Sequence, residues 1–451
     1  MQQYTEKELT IFMAGATPYS DNRGVSAIFR GTIELLQNLQ SRKLKMYVWH
    51  TFPESTQRYL NSAATTHLIF SSNVKIIPKK NSYESVEKHA ILGHVFKLCF
   101  LICAMCYVRL FRLLRLKISP KLEILSELLS SDFIVELNFG DIFTDFYYGR
   151  IMWFLNVLRL FLLNLSKKPV YMFPQSIGPF KSVFSRAIAR IMLKKAKMVA
   201  VREFHSLECV LNLGVNKDNV YFAPDTSYWM PIISATDASK LLQEVGINKS
   251  DSNKKLVGII LSGNSLTKRK NIVPLQTIAK TVDHLIDKLG VEVVFIPHVT
   301  SVSPSFDTRA LSLLTQEMLK NKDHTVVLTK EYTVEELWGI IGLCDIVIST
   351  LTHPVMSSLR QCIPVIALGY SHKTLGIMKL FHMDKYLLTY DDFSASNLIE
   401  LAKEVIENSD AIKQHSRNKR SFLEESMNKF KQVFYELLKS YQLKNGGAAM
   451  L

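Results

Sequence analysis

Short apolar, β-branched segments alternate with helix-period segments along almost the whole of this chain. Helical patterns such as 25–39 and 181–195 separate several candidate strands of the first half. Strands that are apolar throughout are typical of a parallel sheet covered by helices on both faces. The candidate strands of the first half are 9–15, 44–50, 67–77, 133–137, 169–173, 198–202 and 220–222.

The alternation pauses at residues 234–253 and then starts again. A chain of 451 residues is too long for one compact core. We therefore predict an α/β fold with two Rossmann-like parallel-sheet domains, residues 1–240 and 250–451, which face a cleft. The second-half strands are 256–262, 292–297, 325–328, 345–349 and 364–368, and the helical patterns are 272–289, 308–319, 334–342 and 354–360. The last helical pattern, from Leu398 to about Leu443, is left open to pack back on the first domain.

The charge of the chain is strongly positive, with 55 Lys and Arg against 40 Asp and Glu. Such an excess suits an anionic partner, which is a nucleic acid, an anionic membrane surface or a phosphorylated ligand. A generic basic surface is the alternative. Nucleic acid is the less favoured partner, because the basic residues are dispersed and are not interleaved with aromatic residues.

The six cysteines do not follow the spacing of a zinc site, since the one CxxC, Cys103 to Cys106, has no second Cys or His pair. We expect buried thiols in a reducing compartment, and no metal. The N-terminal residues lack the basic start and apolar middle of a signal peptide. The longest uncharged apolar run, 98–108, is too short to span a bilayer. A cytoplasmic location follows.

An apolar and basic helical insertion at about residues 83–117 departs from the alternation. Arg109, Arg112 and Arg115 recur there between Leu and Phe residues, and a second apolar helix, 151–165, precedes Lys167 and Lys168. Basic amphipathic helices lie in membrane interfaces. A peripheral place on the inner membrane face is therefore one interpretation, and helices that cover the sheet or meet another subunit are the other.

Small and polar residues follow two candidate strands of the first half. Gly140 and Asp141 follow strand 133–137, where Asp141 is suited to hold a sugar hydroxyl or to cap a helix. Gln175 and Gly178 follow strand 169–173, where they form either a ligand-binding loop or simply a rigid one.

Charged and titratable residues follow three further strands. Arg202 ends strand 198–202 and is suited to bind a carboxylate or phosphate, or to pair with Glu203 or another neighbour. His353 lies at or just before the start of a helix, where it is either a proton donor or a structural histidine. Tyr370 and Lys373 cluster after strand 364–368.

The opening of the chain carries no G-x-G-x-x-G and no P-loop. Asn22-Arg23-Gly24 forms a looser strand–turn–helix opening that could present backbone N–H groups to an anion. An ordinary βα turn is the alternative for this segment.

Taken in order, several segments resemble the polysaccharide pyruvyl transferase family. They are "NFGDIFTD", "PQSIGPF", "VREFHS", "NVYFAPDTSY", "VVFIPHV" and "CDIVISTLTHPVMSSLRQCIPVIALGYSHKTLGI". The resemblance covers roughly residues 10–385. It implies a fold similar to GT-B glycosyltransferases and transfer of the enolpyruvyl unit of phosphoenolpyruvate to a sugar, without cofactor or obligatory metal. The acceptor would be a surface polysaccharide or its lipid-linked precursor, and the product a pyruvate ketal.

The resemblance also implies site residues. His353 matches the turn histidine of the family, and Arg202 matches the arginine of its "VRD" segment, although Glu203 replaces the aspartate. We expect Arg202 and Lys373 to hold the donor, and Asp141 and Gln175 to orient the acceptor. Where the family carries an arginine, this chain has Leu351, for which Arg360, Lys373 or Arg269 could substitute.

Two other functions stay open at the sequence level. One is a GT-B glycosyltransferase that uses a nucleotide sugar. The other is a non-catalytic, membrane-associated binding protein that kept the fold after the arginine was lost. The sequence leaves oligomerisation open.

Overall fold

The structure, a computed structural model, describes 13 segments of the chain. They are residues 9–17, 20, 22–37, 44–49, 68–70, 83–113, 122–147, 149–249, 254–262, 275–300, 307–369, 371–389 and 391–446. The chain divides into two compact units. Unit 1 comprises Met1–Tyr19, Thr32–Thr226 and Phe430–Leu451, and unit 2 comprises Ser20–Gly31 and Ser227–Lys429.

Unit 1 is built on a seven-stranded sheet in the order β3-β2-β1-β4-β5-β6-β7, with every neighbouring pair parallel. The strands are β1 (Leu9–Ala14), β2 (Leu44–Val48), β3 (Leu68–Phe70), β4 (Phe133–Glu136), β5 (Val170–Gln175), β6 (Met198–Val201) and β7 (Val220–Phe222). The helices up to β7 are α1 (Arg23–Gln37, in unit 2 as far as Gly31), α2 (Tyr83–Leu113), α3 (Glu123–Ser130), α4 (Gly149–Leu165), α5 (Val183–Lys195) and α6 (Phe204–Asn212).

The middle of the unit 1 sheet is buried on both faces, which explains its unbroken apolar strands. Every residue of β4, β5 and β6 is buried. One apolar cluster joins the sheet to α2, α4 and α5 through residues such as Met105, Leu160 and Leu193. These three helices therefore cover the same part of the core.

Unit 2 is built on a six-stranded parallel sheet in the order β10-β9-β8-β11-β12-β13. Its strands are β8 (Leu256–Ile260), β9 (Glu292–Phe295), β10 (Thr325–Val327), β11 (Ile346–Ser349), β12 (Val365–Leu368) and β13 (Leu387–Leu388). The remaining helices are α7 (Ala235–Gln243), α8 (Leu275–Leu289), α9 (Thr308–Glu317), α10 (Val334–Gly342), α11 (Thr352–Arg360), α12 (His372–Leu380), α13 (Ala395–Glu407) and α14 (Ser409–Gly446).

Both sheets change direction of winding at one point, which lies between β1 and β4 in unit 1 and between β8 and β11 in unit 2. In an open parallel sheet, ligands bind beyond the carboxyl ends of the strands at such a switch point. The α/β fold with two parallel sheets is confirmed. Several short elements were not predicted, among them α6, α7 and β13, and α7 lies within the pause that the sequence shows at 234–253.

The expectation of buried thiols is wrong for three of the six cysteines. Cys99, Cys103 and Cys106 are exposed, whereas Cys344 and Cys362 are buried. These three cysteines lie on the outward side of α2. That side is as apolar as the inward side, so the sequence does not distinguish the two. No helix in the described part of the chain is long and apolar enough to cross a membrane.

Candidate active site

The predicted site residues of unit 1 meet at the carboxyl ends of β4, β5 and β6. The Ser176 N–H donates to the Gly140 carbonyl at 2.8 Å, and the Arg202 N–H donates to the Gln175 carbonyl at 3.3 Å. The Gly178 N–H donates to the Phe143 carbonyl at 3.0 Å. The structure therefore brings Gly140, Gln175, Gly178 and Arg202 to one edge of the sheet, as the parallel order of the strands requires.

A buried polar network supports the loop that carries Gly140 and Asp141. An Nη2 of Arg159 donates to Oε1 of Glu136 at 2.8 Å and to Oδ1 of Asn138 at 2.6 Å. Asn138 Nδ2 in turn donates to Oε1 of Gln175 at 2.6 Å. Burial raises the pKa of Glu136, and the charge of Arg159 opposes that rise. Gln175 is fully buried, and its side chain is hydrogen-bonded within this network.

The loop itself adopts a left-handed backbone over three residues. The φ angles are 43° at Asn138, 50° at Phe139 and 86° at Gly140. Only glycine adopts this region freely, so Phe139 is a strained position held by its surroundings. Gly15, which follows β1, lies so close that a Cβ there would be 2.4 Å from the Asn138 nitrogen. The loops after β1 and β4 thus meet at the switch point of the sheet.

Gly178 lies next to a helix of the same unit. It has a φ angle of 79° and precedes a cis peptide bond to Pro179. A Cβ on Gly178 would lie 2.5 Å from Sγ of Cys209 in α6. A side chain is therefore excluded here by packing within unit 1.

Arg202 is buried and paired within unit 1. Its Nη1 donates to Asp225 Oδ2, and its Nε donates to Ser176 Oγ at 3.0 Å. Burial lowers the pKa of Arg202, while the carboxylates of Asp225, Asp141 and Glu203 raise it, so that the net change is upward. Of the two alternatives that the sequence left open, the structure shows an ion pair. Its partner is Asp225, because Glu203 caps α6 by accepting from the Ser206 N–H.

In unit 2, His353 and Lys373 lie at the N-termini of neighbouring helices. His353 is the second residue of α11, after β11, and Lys373 is the second residue of α12, after β12. The hydroxyls of Thr352 and Thr374 are hydrogen-bonded at 2.8 Å and join the two helix starts. The side chains of His353 and Lys373 are half-buried. Helix N-termini attract anions through their partial positive charge.

The start of α1 belongs to the same group of residues. A Cβ on Gly24 would lie 2.2 Å from Nδ1 of His353, so only glycine admits the imidazole at this place. The neighbouring Arg23 N–H donates to the His298 carbonyl at 3.0 Å. The Arg23 guanidinium pairs with Glu331. The start of α1 therefore contacts two histidine residues, His298 through its backbone and His353 through its ring.

His298 is a residue of this group to which the sequence assigned no role. It follows β9, its exposed fraction is 1%, and both ring nitrogens lack a hydrogen-bond partner among the described residues. Burial lowers the pKa of His298 to about 3, assisted by the charges of His353 and Arg23. Its imidazole is therefore neutral near pH 7. The segment "VVFIPHV" contains the only signal for it, a polar residue just after an apolar strand.

Of the other residues named from the sequence, Arg360 does not join the group around His353. Arg360 ends α11, at the far end from His353, and donates to the carbonyls of Ser227 at 3.3 Å and Met230 at 2.7 Å. Burial lowers the pKa of Arg360 to about 10. Tyr370 and Arg269 lie outside the described residues. Among the residues that are described, no three His, Cys, Asp or Glu side chains are grouped to hold a metal ion.

Comparison with known proteins gives one family and a set of similar folds. The sequence model of the polysaccharide pyruvyl transferase family matches residues 22–372. The amylovoran biosynthesis protein AmsJ of Erwinia amylovora is 23% identical over 399 residues, which is 87% of this chain and 91% of that protein.

Two solved structures illustrate the likeness in fold. A putative UDP-N-acetylglucosamine 2-epimerase from Listeria monocytogenes has a TM-score of 0.57 at 9% identity, over 96% of this chain and 98% of the other. HepE from Anabaena, solved in complex with UDP, has a TM-score of 0.55 at 12% identity, over 96% and 100%. At such identities the likeness concerns the fold alone.

Proposed function

Because this chain belongs to the polysaccharide pyruvyl transferase family and is a transferase, we propose that phosphoenolpyruvate is its donor. The acceptor is a sugar of a surface polysaccharide or of its lipid-linked precursor, and the product is a pyruvate ketal. The similarity to a protein of amylovoran biosynthesis supports an exopolysaccharide role. The observation that carries the proposal is the placement of His353 and Lys373 at two joined helix N-termini.

Two joined helix starts are suited to a small dianion. Phosphoenolpyruvate carries a carboxylate and a phosphate, and both gain from fixed N–H dipoles and a nearby ammonium group. At α11 the N-cap residue is Leu351, whose side chain cannot accept from the helix N–H groups. Those N–H groups and Lys373 thus take the place of the arginine that the family carries at position 351. No metal is required by this arrangement.

His353 supplies the proton in the proposed reaction. Protonation of the methylene carbon of the donor makes C2 electrophilic, and a first sugar hydroxyl forms a bond to C2. The bond from C2 to the phosphate oxygen breaks, phosphate leaves, and a second hydroxyl closes the ketal. One of the two hydroxyl protons replaces the proton that His353 gave to carbon, and the other is taken up by the departing phosphate, so that the protons balance. An imidazole is suited to such transfers near neutral pH.

The residues of unit 1 are proposed to serve the acceptor. Asp141 is half-buried on the left-handed loop, where a carboxylate can accept from a sugar hydroxyl. Gln175 is fully hydrogen-bonded and is proposed to hold this loop rather than to contact the sugar. Arg202 is proposed to fix the same edge through Asp225 and Ser176, because its charge is already balanced there.

We also propose a peripheral location on an anionic membrane surface. A lipid-linked acceptor is presented at such a surface, and the formal charge of the chain, +15, favours anionic lipid.

The test is incubation of the full chain with phosphoenolpyruvate and a panel of lipid-linked sugars, in the presence and absence of a chelator. We expect release of phosphate together with a mass gain on one acceptor, with or without chelator. UDP-glucose and UDP-N-acetylglucosamine serve as rival donors. Transfer from either of these, without transfer from phosphoenolpyruvate, would identify a glycosyltransferase instead.

His353→Asn tests the proton donor. We expect turnover to fall about 10²-fold or more, because general acid–base work is lost. The matched control is His324→Asn, since His324 is an exposed histidine of unit 2 away from α11. Turnover in the His353 variant equal to that of the control variant would remove His353 from the mechanism.

A further inference from the structure

The outward side of α2 is an exposed apolar surface. From Phe96 to Leu113 the exposed residues recur every three or four positions, which places them on one side of the helix. Phe96 and Phe100 are 67% and 60% exposed, and Leu113 is 80% exposed. The full set, here called the α2 outer face, is Phe96, Cys99, Phe100, Cys103, Cys106, Tyr107, Leu110 and Leu113. Among the side chains described from 96 to 113, no charged one is exposed, which is unusual for a helix side that faces solvent.

The two charged residues of α2 whose side chains the structure describes, Lys97 and Arg109, are not exposed. Arg109 donates from Nη1 to the Leu165 carbonyl at 2.7 Å, and thus provides a hydrogen-bond donor for the last carbonyl of α4. Lys97 is half-buried, and burial lowers its pKa. The sequence suggested that arginines of this helix meet the lipid, but Arg109 holds α2 against α4. The side chains of Arg112 and Arg115 lie outside the described residues.

The apolar surface continues onto the two helices that follow α2 in the same layer. α2 packs on α4, and α4 packs on α5. Ile151 and Phe154 of α4 are exposed, as are Val183 and Phe184 of α5. The Trp153 ring contacts the Phe184 ring, with 6.3 Å between centroids, and joins the two helices.

Basic residues accompany the described part of this surface. The sequence has no Asp or Glu in residues 88–113, 149–165 or 180–202. The exposed cations on α4 and α5 and just before α5 are Arg150, Lys181, Arg186, Arg190, Lys194 and Lys195. Apolar side chains with cations beside them match the interface of an anionic bilayer, where acyl chains lie beneath negative headgroups.

We propose that the α2 outer face, with the exposed ends of α4 and α5, docks unit 1 onto an anionic lipid bilayer. This proposal names the surface that would serve the membrane location proposed above, and it rests on that location. It does not depend on phosphoenolpyruvate being the donor. A second copy of the chain fits the surface less well. In a symmetric dimer the same surface meets itself, so its cations would oppose cations, and residues 88–113, 149–165 and 180–202 hold no Asp or Glu to pair with them.

The first experiment is co-sedimentation of the full chain with vesicles of phosphatidylcholine, with and without phosphatidylglycerol. We expect binding to the anionic vesicles and weaker binding at high salt. The double variant Phe100→Ser with Leu110→Ser should bind at least about tenfold more weakly. The matched control is Leu313→Ser with Leu314→Ser, because these leucines are also exposed but lie on α9 in unit 2.

A second measurement places the helix in the bilayer. Cys103 is exposed on the α2 outer face and accepts a polarity-sensitive fluorophore in a variant that carries Cys99→Ser and Cys106→Ser. We expect a blue shift on vesicle binding and quenching by lipids with brominated acyl chains. A bound protein whose label stays in water would exclude this surface.

The outcomes separate the proposals. Absence of wild-type binding to anionic vesicles would overturn both the location and the surface. Normal binding by the Phe100/Leu110 variant would overturn the surface alone. A dimer in sedimentation velocity that this variant abolishes would assign the surface to a second copy. Transfer from phosphoenolpyruvate to a water-soluble acceptor is expected to be the same in the variant as in the wild type. If the wild type shows no such transfer, the proposed reaction is overturned and the proposed surface is not affected.

Discussion

His298 illustrates how surroundings decide what a histidine does. Its imidazole is buried, and the nearby charges of His353 and Arg23 also oppose its protonation, so that its pKa falls to about 3. In an unfolded chain the same group has a pKa of about 6.5. His298 therefore stays uncharged near pH 7, whereas His353 is only half-buried.

The pKa of His298 predicts a loss of stability in acid. Between pH 6.5 and 3 the unfolded chain binds a proton that the folded chain does not, so the free energy of unfolding falls as the pH falls. From pH 7 to pH 5 this group alone should remove about 2 kcal/mol. Urea unfolding of the wild type and of His298→Asn at both pH values measures the difference. Equal losses in the two proteins would show that His298 does not resist protonation.

Gly24 sets the position of the His353 imidazole. In Gly24→Ala the new methyl group would lie 2.2 Å from Nδ1 of His353, so the ring must move. A displacement of about 1 Å in a catalytic group can cost about 10²-fold in rate. We expect kcat to fall by about this factor, while the free energy of unfolding changes little. Gly93→Ala is the control, because nothing lies within 4 Å of a Cβ at Gly93, and activity there should be unchanged.

The sequence located some residues of the candidate site and not others. His353 and Lys373 were predicted to follow strands, and both do. His298 received no role, because burial of a ring and its distance from another histidine are tertiary facts. For Arg202 the sequence offered two alternatives and could not choose, because Asp225, its partner, lies 23 residues away in the chain.

At the scale of elements, periodicity predicted the long helices and the buried strands. The pattern at 25–39 became Arg23–Gln37, and strand 346–349 follows the predicted 345–349 closely, because a repeat of 3.6 or a fully apolar run leaves few other structures. The two-residue strand β13 carries too few residues for such a signal.

The α2 helix shows where apolar periodicity misleads. An apolar stretch is read as core, so its cysteines were expected to be buried, and three of them are exposed. The inward side of α2 does pack into the core, with Leu101 and Met105 buried. Because both sides are apolar, the sequence alone could not say which side faces outward.

At the scale of the whole molecule, α14 is one helix that belongs to both units. Its residues up to Lys429 group with unit 2, and those from Phe430 group with unit 1. The sequence left this packing open. In unit 1 the fully buried Phe434 ring lies against Phe133, Tyr171 and Phe173, at centroid distances of 6.1, 5.3 and 4.9 Å.

Phe434→Ala should therefore destabilise unit 1 selectively. Removal of a buried phenylalanine leaves a cavity that costs about 3–5 kcal/mol, and here the cavity would adjoin β4 and β5. Hydrogen exchange resolved by segment measures this, with faster exchange expected in β4 and β5 and little change in β8 of unit 2. Tyr435→Ala is the matched control, because Tyr435 is 38% exposed and should change stability by no more than about 0.5 kcal/mol. Equal acceleration in both sheets would mean that the two units unfold as one, and that the aromatic contact of α14 stabilises the molecule as a whole.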